Sequence, residues 1–151
     1  MPDQPRRSKM KLIYDDRLLD PTRLMTFVEM GGFTDDWQDA RLTDDDLQAL
    51  QIVIMAHPTI APVVAGTGRL RKLRFAPPSR HQGKRGALRI CYVYFEEFGV
   101  VLLVIMYDKT KKDNLTPDEK KTIKQLISEV HQYLSKRHYR LHTAERKGSK
   151  P

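Results

Sequence analysis

A single cysteine cannot close an intramolecular disulfide, so the fold of this 151-residue chain has to rest on its core rather than on covalent staples. That cysteine, Cys91, sits between Ile90 and the pair Tyr92 and Val93, which reads as a buried strand thiol. No group of cysteines and histidines has zinc-ligand spacing, and neither a metal nor another cofactor is expected. Long apolar runs are also missing. The longest, Val100 to Tyr107, falls far short of the ~20 residues that cross a bilayer, and the opening residues lack the apolar stretch of a secretory signal. The expectation is a soluble, cytoplasmic protein without a membrane partner.

The most informative absence is local. The chain carries a net charge of +8, yet residues 1–68 hold 7 basic and 11 acidic side chains, residues 69–89 hold 8 basic and none acidic, and residues 90–151 hold 12 basic and 8 acidic. The positive field is therefore concentrated in one short window, which points to an acidic partner such as nucleic acid.

Residues 1–20 are polar and without a clear period and read as an N-terminal extension, residues 21–136 as one domain, and residues 137–151 as a basic tail. Within the domain, residues 24–29 read as a first strand ended by Gly31-Gly32, and Thr34 to Trp37 as the start of a short helix. Thr43 and Asp46 have the spacing of a capping box, followed by an apolar stripe of Leu47, Leu50, Val53 and Ile54 that His57-Pro58 ends. The run Asp44 to Asp46 is read as stabilising the positive end of that helix rather than as a metal site. Gly66-Thr67-Gly68 is a turn, because it lacks the spacing and the lysine of a phosphate-binding loop. Three strands follow, at residues 69–75, 87–95 and 100–107, joined closely enough to form an antiparallel meander. Thr116, Pro117 and Glu119 then open the clearest helix, whose apolar face is Ile123, Leu126, Ile127, Val130 and Leu134. The predicted fold class is α+β: a compact antiparallel, mixed-edge sheet of about four strands, two N-terminal helices and a C-terminal helix.

Alternation along a strand puts Lys72 and Arg74 on one face and Leu73 and Phe75 on the other. A meander brings Arg89 beside them and Lys109 near the end of the fourth strand, with Lys84 and Arg85 on the loop above. Such a basic cup suits a phosphodiester. Cleaving RNA requires the 2′-hydroxyl to lose a proton and the phosphorus to gain negative oxygens, which fixed positive groups stabilise. No pair of histidines or glutamate offers the usual acid and base, since Glu96 and Glu97 fall in a turn and His81 in a loop. A lysine with a pKa lowered by crowded cations, Tyr107, or His81 remains for proton transfer.

The segments GTGRLRKLRF at residues 66–75, GKRGALRICY at residues 83–92, Tyr107 with Lys109, and KDNLT at residues 112–116 resemble, in order and spacing, the RelE/HigB-like toxins of bacterial toxin–antitoxin modules, HigB-like branch. Phe27-Val28-Glu29, the short helix with Trp37 and the leucine-containing helix from Asp44 resemble the family's opening elements, so the similarity spans residues 25–134. What the resemblance implies is a metal-independent endoribonuclease that cuts messenger RNA in the ribosomal A site, leaving a 2′,3′-cyclic phosphate and a 5′-hydroxyl. Lys72 and Arg74 match the family's strand of basic catalytic residues, Arg89 the arginine on the scissile phosphate, and Lys109 the basic residue that closes the site; Arg71, Lys84, Arg85, Lys111 and Lys112 are further RNA-binding candidates. Two positions depart from the pattern. Thr110 stands where the best-known RelE-type sequences carry a catalytic arginine, and no tyrosine lies near Thr116, which leaves Tyr107 to take that tyrosine's place. The implied partners are the ribosome with its message and a cognate antitoxin of helix-turn-helix, HigA-like type, through which alone operator DNA is bound. The residues by themselves also fit a different class, a catalytically inactive basic module that binds nucleic acid or an antitoxin.

Overall fold

The computed structural model describes residues 25–80, 87–108 and 114–148, with side chains of the last helix to residue 137. Strand β1 (Thr26–Glu29) leads into α1 (Gly31–Asp39) and α2 (Asp44–Ala56); β2 (Arg71–Phe75), β3 (Leu88–Phe95) and β4 (Val100–Asp108) follow, and α3 (Pro117–Gly148) ends the order. The sheet order is β1-β4-β3-β2. The three later strands pair antiparallel as a meander, while β1 runs parallel to β4 at the edge.

Both capping boxes form. Thr43 Oγ1 accepts from the Asp46 amide at 3.1 Å while Asp46 Oδ2 accepts from the Thr43 amide at 2.9 Å. The same relation joins Thr116 and Glu119 at the start of α3. Asp46 does more than cap: its carboxylate, 1% exposed, also takes the Ser79 amide at 3.0 Å and the Ser79 hydroxyl at 2.6 Å. That ties the start of α2 to a 3-10 turn at Pro78–Arg80, just after β2. Burial raises the Asp46 pKa, but the Ser79 hydroxyl, the two amides and the Thr43 hydroxyl outweigh it and hold the carboxyl below its usual range.

The sheet has two unlike faces. On one, Phe33 and Trp37 of α1 and Leu50 and Ile54 of α2 pack on Phe75, Leu88, Ile90, Tyr92 and Leu103. Fully burying a side chain of this size contributes roughly 1.5–3 kcal/mol, so this face anchors both helices. On the other, Ile123 and Ile127 of α3 pack on Cys91, Val93, Phe95, Leu102 and Val104. Cys91 is the buried strand thiol expected of it. Val53, placed in the apolar stripe of α2 by its spacing, is 42% exposed, because the core side of that helix is already filled by Leu50 and Ile54.

Gly66 and Gly68 both have φ of 85°, a left-handed conformation that costs glycine little, and Thr67 between them is buried with its hydroxyl donating to the Val64 carbonyl. The triplet is a turn that delivers the chain to β2. The backbone of α3 runs on to Gly148 without a break at residue 137, past the end of its apolar stripe at Leu134. Its sequence there keeps helix-forming Arg, Leu, Ala, Glu and Lys and has no proline. Residues 1–20 lie outside the described residues.

Candidate nucleic-acid interface

Register decides which basic side chains meet. Arg74 lies directly across from Arg89, and Arg89 directly across from Tyr107, so three residues form one row over β2, β3 and β4. Lys72 lies in the next row on the same face, across from Cys91. Side chains opposite one another in antiparallel strands sit about 4.5–5.5 Å apart at Cβ, and like charges in that relation repel. Among the described residues no carboxylate and no carbonyl engages the guanidinium of Arg74 or Arg89. Two arginines facing each other without an anion form a site that an anion completes.

A β-bulge puts Tyr107 in that row. Cys91 pairs with Ile105 but Tyr92 pairs with Leu103, so β4 carries an extra residue at Val104. Without it, strict alternation from Leu103 would turn Tyr107 toward α1 and α2; with it, Tyr107 joins the face of Arg89 and α3. Tyr107 is 9% exposed, and its hydroxyl is buried without a hydrogen-bond partner among the described residues. Burial pushes the phenol pKa up, the Cys91 thiol and the Glu119 carboxylate add to this, and Arg89 partly opposes it. The phenol therefore stays protonated through neutral pH and is suited to donating a proton rather than accepting one.

The other sequence candidates separate. Arg71 projects from the opposite face, where its Nη1 donates to the carbonyls of Thr59 at 2.9 Å and Ala61 at 2.7 Å and holds the loop before β2. It is not brought together with Arg74 and Arg89. His81, Lys84, Arg85, Lys109, Lys111 and Lys112, together with Thr110, lie outside the described residues. Glu97, in the turn between β3 and β4, is held by Arg69 and His131 and does not reach the row. Among the described residues no group of three or more His, Cys, Asp or Glu could hold a metal ion, and no helix is long and apolar enough to cross a membrane.

Sequence reasoning passed over Arg41 and Arg80, which line a cleft beside Tyr107. Arg41 follows a short helix at the position where glycine is usual and has φ of 58°, a conformation that an arginine in the sequence does not announce.

Fold and row together define an α+β domain that presents, among the described residues, two arginines without an anionic partner beside a neutral tyrosine. No protein-family model matches the chain. Among solved structures it is similar to a mutant of the E. coli toxin RelE in the free state, with a TM-score of 0.43 and 14% sequence identity over 60% of this chain and 88% of that one.

Proposed function

We propose that the protein is the toxin of a toxin–antitoxin pair, a metal-independent endoribonuclease of the HigB-like branch that acts in the cytoplasm on messenger RNA at the ribosome. The observation that carries this reading is the row Arg74, Arg89, Tyr107, with two cations lacking an anion and a buried phenol lacking a partner among the described residues. The sequence resemblance over residues 66–116 supports it independently. A phosphodiester in front of the row takes the two guanidinium groups on its non-bridging oxygens, where charge grows as the 2′-oxygen bonds to phosphorus. The 2′-hydroxyl gives up its proton to water as its oxygen bonds to phosphorus, the bond from phosphorus to the 5′-oxygen breaks, and that oxygen takes a proton and leaves as a hydroxyl. Tyr107 is suited to supply that last proton. Lys72, one row away, and Lys109 complete the proposed set, with Lys84, Arg85, Lys111 and Lys112 along the RNA. A helix-turn-helix antitoxin restrains the toxin and carries it to operator DNA.

A second reading has one observation in its favour: the Tyr107 hydroxyl is sealed from solvent. A site whose acid cannot reach a substrate binds RNA or an antitoxin without cutting. Inducible expression with 5′-end mapping separates the two. Growth arrest with in-frame cuts in translated messages, lost in Arg89→Ala and reversed by the cognate antitoxin, supports the nuclease; normal growth, with RNA binding that falls steeply with salt, supports the binding module.

A further inference from the structure

Strand β1 covers β4 only over Val100–Leu103. From Val104 to Asp108, β4 therefore has β3 on one side and no strand on the other among the described residues. The space left there is a cleft of about 760 Å³ between the end of α1 and the first turn of α3. Its floor is apolar, made by Leu88, Ile105 and Met106. Its rim carries Asp36 and Asp39 from α1, Asp108 from β4 and Glu119 from α3, opposed by Arg41 and Arg80. Tyr107 belongs to both places, because it lines the cleft and also sits across from Arg89. Its hydroxyl, without a partner among the described residues, feels both Arg89 of the cationic row and Glu119 of the acidic rim.

Helix energetics explain Glu119, which caps α3, but not the side of the rim that α1 supplies. Asp36 and Asp39 stand in the last turn of α1, at the negative end of the helix dipole, with no basic residue in that turn to offset them. Arg41 follows in the left-handed region, which an L-residue with a long side chain rarely adopts. Packing of α1 is done by Phe33 and Trp37, not by these three. Each choice costs the local fold something, and each sets a charged group at the mouth of the cleft.

An acidic rim repels a phosphate, so the cleft does not simply extend the anion site. It fits a flat ring with N–H donors on its edge. Adenine, cytosine and guanine each carry an exocyclic amino group that donates to carboxylates, whereas uracil presents carbonyl oxygens in those places. Apolar residues below and arginine planes beside a base are a common way to hold a splayed nucleotide. We propose that the cleft is a base-recognition subsite, one that takes an amino-bearing base next to the phosphate at Arg74 and Arg89 and discriminates against uracil. The position of that base relative to a cut rests on the ribonuclease reading; the recognition itself does not.

The test has two arms. In the first, GMP, AMP, CMP and UMP are titrated into the full chain and followed by amide chemical shifts. The three amino-bearing nucleotides are expected to bind at least tenfold tighter than UMP, and this preference is expected to collapse below threefold in Asp36→Ala/Asp39→Ala. Both positions are exposed on α1, so the variant keeps the fold. Equal binding of all four, binding of none, or an unchanged preference in the variant overturns the proposal. In the second arm, 5′ ends are mapped in cells expressing either form. Depletion of uracil at one position flanking the cut, relieved in the variant while cutting continues, supports the subsite; cuts with the same bias in both forms overturn it. Nucleotide preference without any message cleavage leaves the subsite standing and removes the nuclease.

Discussion

Four arginines around β2 and β3 have very different surroundings. Arg69 makes two hydrogen bonds to Glu97, one to the Tyr94 carbonyl, and lies 5.0 Å from the centre of the Phe95 ring. Arg71 is spent on two loop carbonyls. Arg74 and Arg89 face each other across the ladder with no such partner among the described residues. Composition treats all four alike, as members of one basic window. Charge density in sequence thus locates a region, while unmet hydrogen-bonding capacity in structure picks out the groups free to meet a ligand.

The largest effects are expected where that capacity is unmet. Arg89→Ala should lower message cutting by ~10²–10³-fold, the usual loss when one fixed group that stabilises transition-state charge is removed. Its unfolding free energy should stay level or rise slightly, since a like-charge contact with Arg74 disappears. Cutting is read by 5′-end mapping in a translating extract and stability by urea titration. A variant that unfolds as it loses activity would place Arg89 with the structural arginines and break the contrast.

Tyr107→Phe sharpens it further. If the phenol donates the proton to the leaving 5′-oxygen, cutting falls by roughly 10²-fold, as is typical when a general acid is lost. Folding should gain by about 1 kcal/mol, because a buried hydroxyl without a partner is removed. Slower cutting in a more stable protein is the expected signature. Equal cutting with higher stability would leave the hydroxyl an unsatisfied core atom.

Much of this arrangement was legible beforehand. Both capping boxes, the meander and the face shared by Lys72 and Arg74 follow from spacing alone, because caps and alternation are local. Two features escaped for non-local reasons. The bulge at Val104 depends on how β4 registers against β3, and nothing in an unbroken run of β-branched and large apolar residues marks where the extra residue falls. The fate of Arg71 depends on a loop 10 and 12 residues earlier in the chain folding back beside β2.

Asp46 shows a local motif recruited for a distant tie. The capping box was legible; the bonds from Ser79, 33 residues on, were not. Asp46→Ala should therefore cost more than the ~1 kcal/mol of an ordinary cap, about 2–3 kcal/mol, since a nearly buried site also loses two bonds to the Pro78–Arg80 turn. The pH dependence follows from the lowered pKa of the folded state. The carboxylate's contribution is complete above the ordinary carboxyl value of 3.8 and is lost as pH falls through the lower, folded value. Wild type and variant should thus converge in stability only in strong acid. A gap of 1 kcal/mol or less at neutral pH would reduce Asp46 to its cap.

The smallest effect is expected at Arg69, the best-partnered of the four arginines. Its pair with Glu97 is 36% and 43% exposed on the two sides, so solvent screens it and a contribution of about 0.2–1 kcal/mol is appropriate. Arg69→Ala should leave message cutting unchanged, because its guanidinium points to the β3–β4 turn and away from the row. Glu97 is held below its usual pKa first by its hydrogen bond with Arg69, with burial opposing and His131 adding a little. That part of the stability is present above the ordinary glutamate value of 4.5 and fades as pH drops through the lower folded value. The deficit of Arg69→Ala in urea titrations should accordingly shrink in acid and in high salt. A deficit independent of both would assign its effect to the stacking on Phe95, and a loss of cutting comparable to that in Arg89→Ala would mean that the partnered and unpartnered arginines are not functionally distinct.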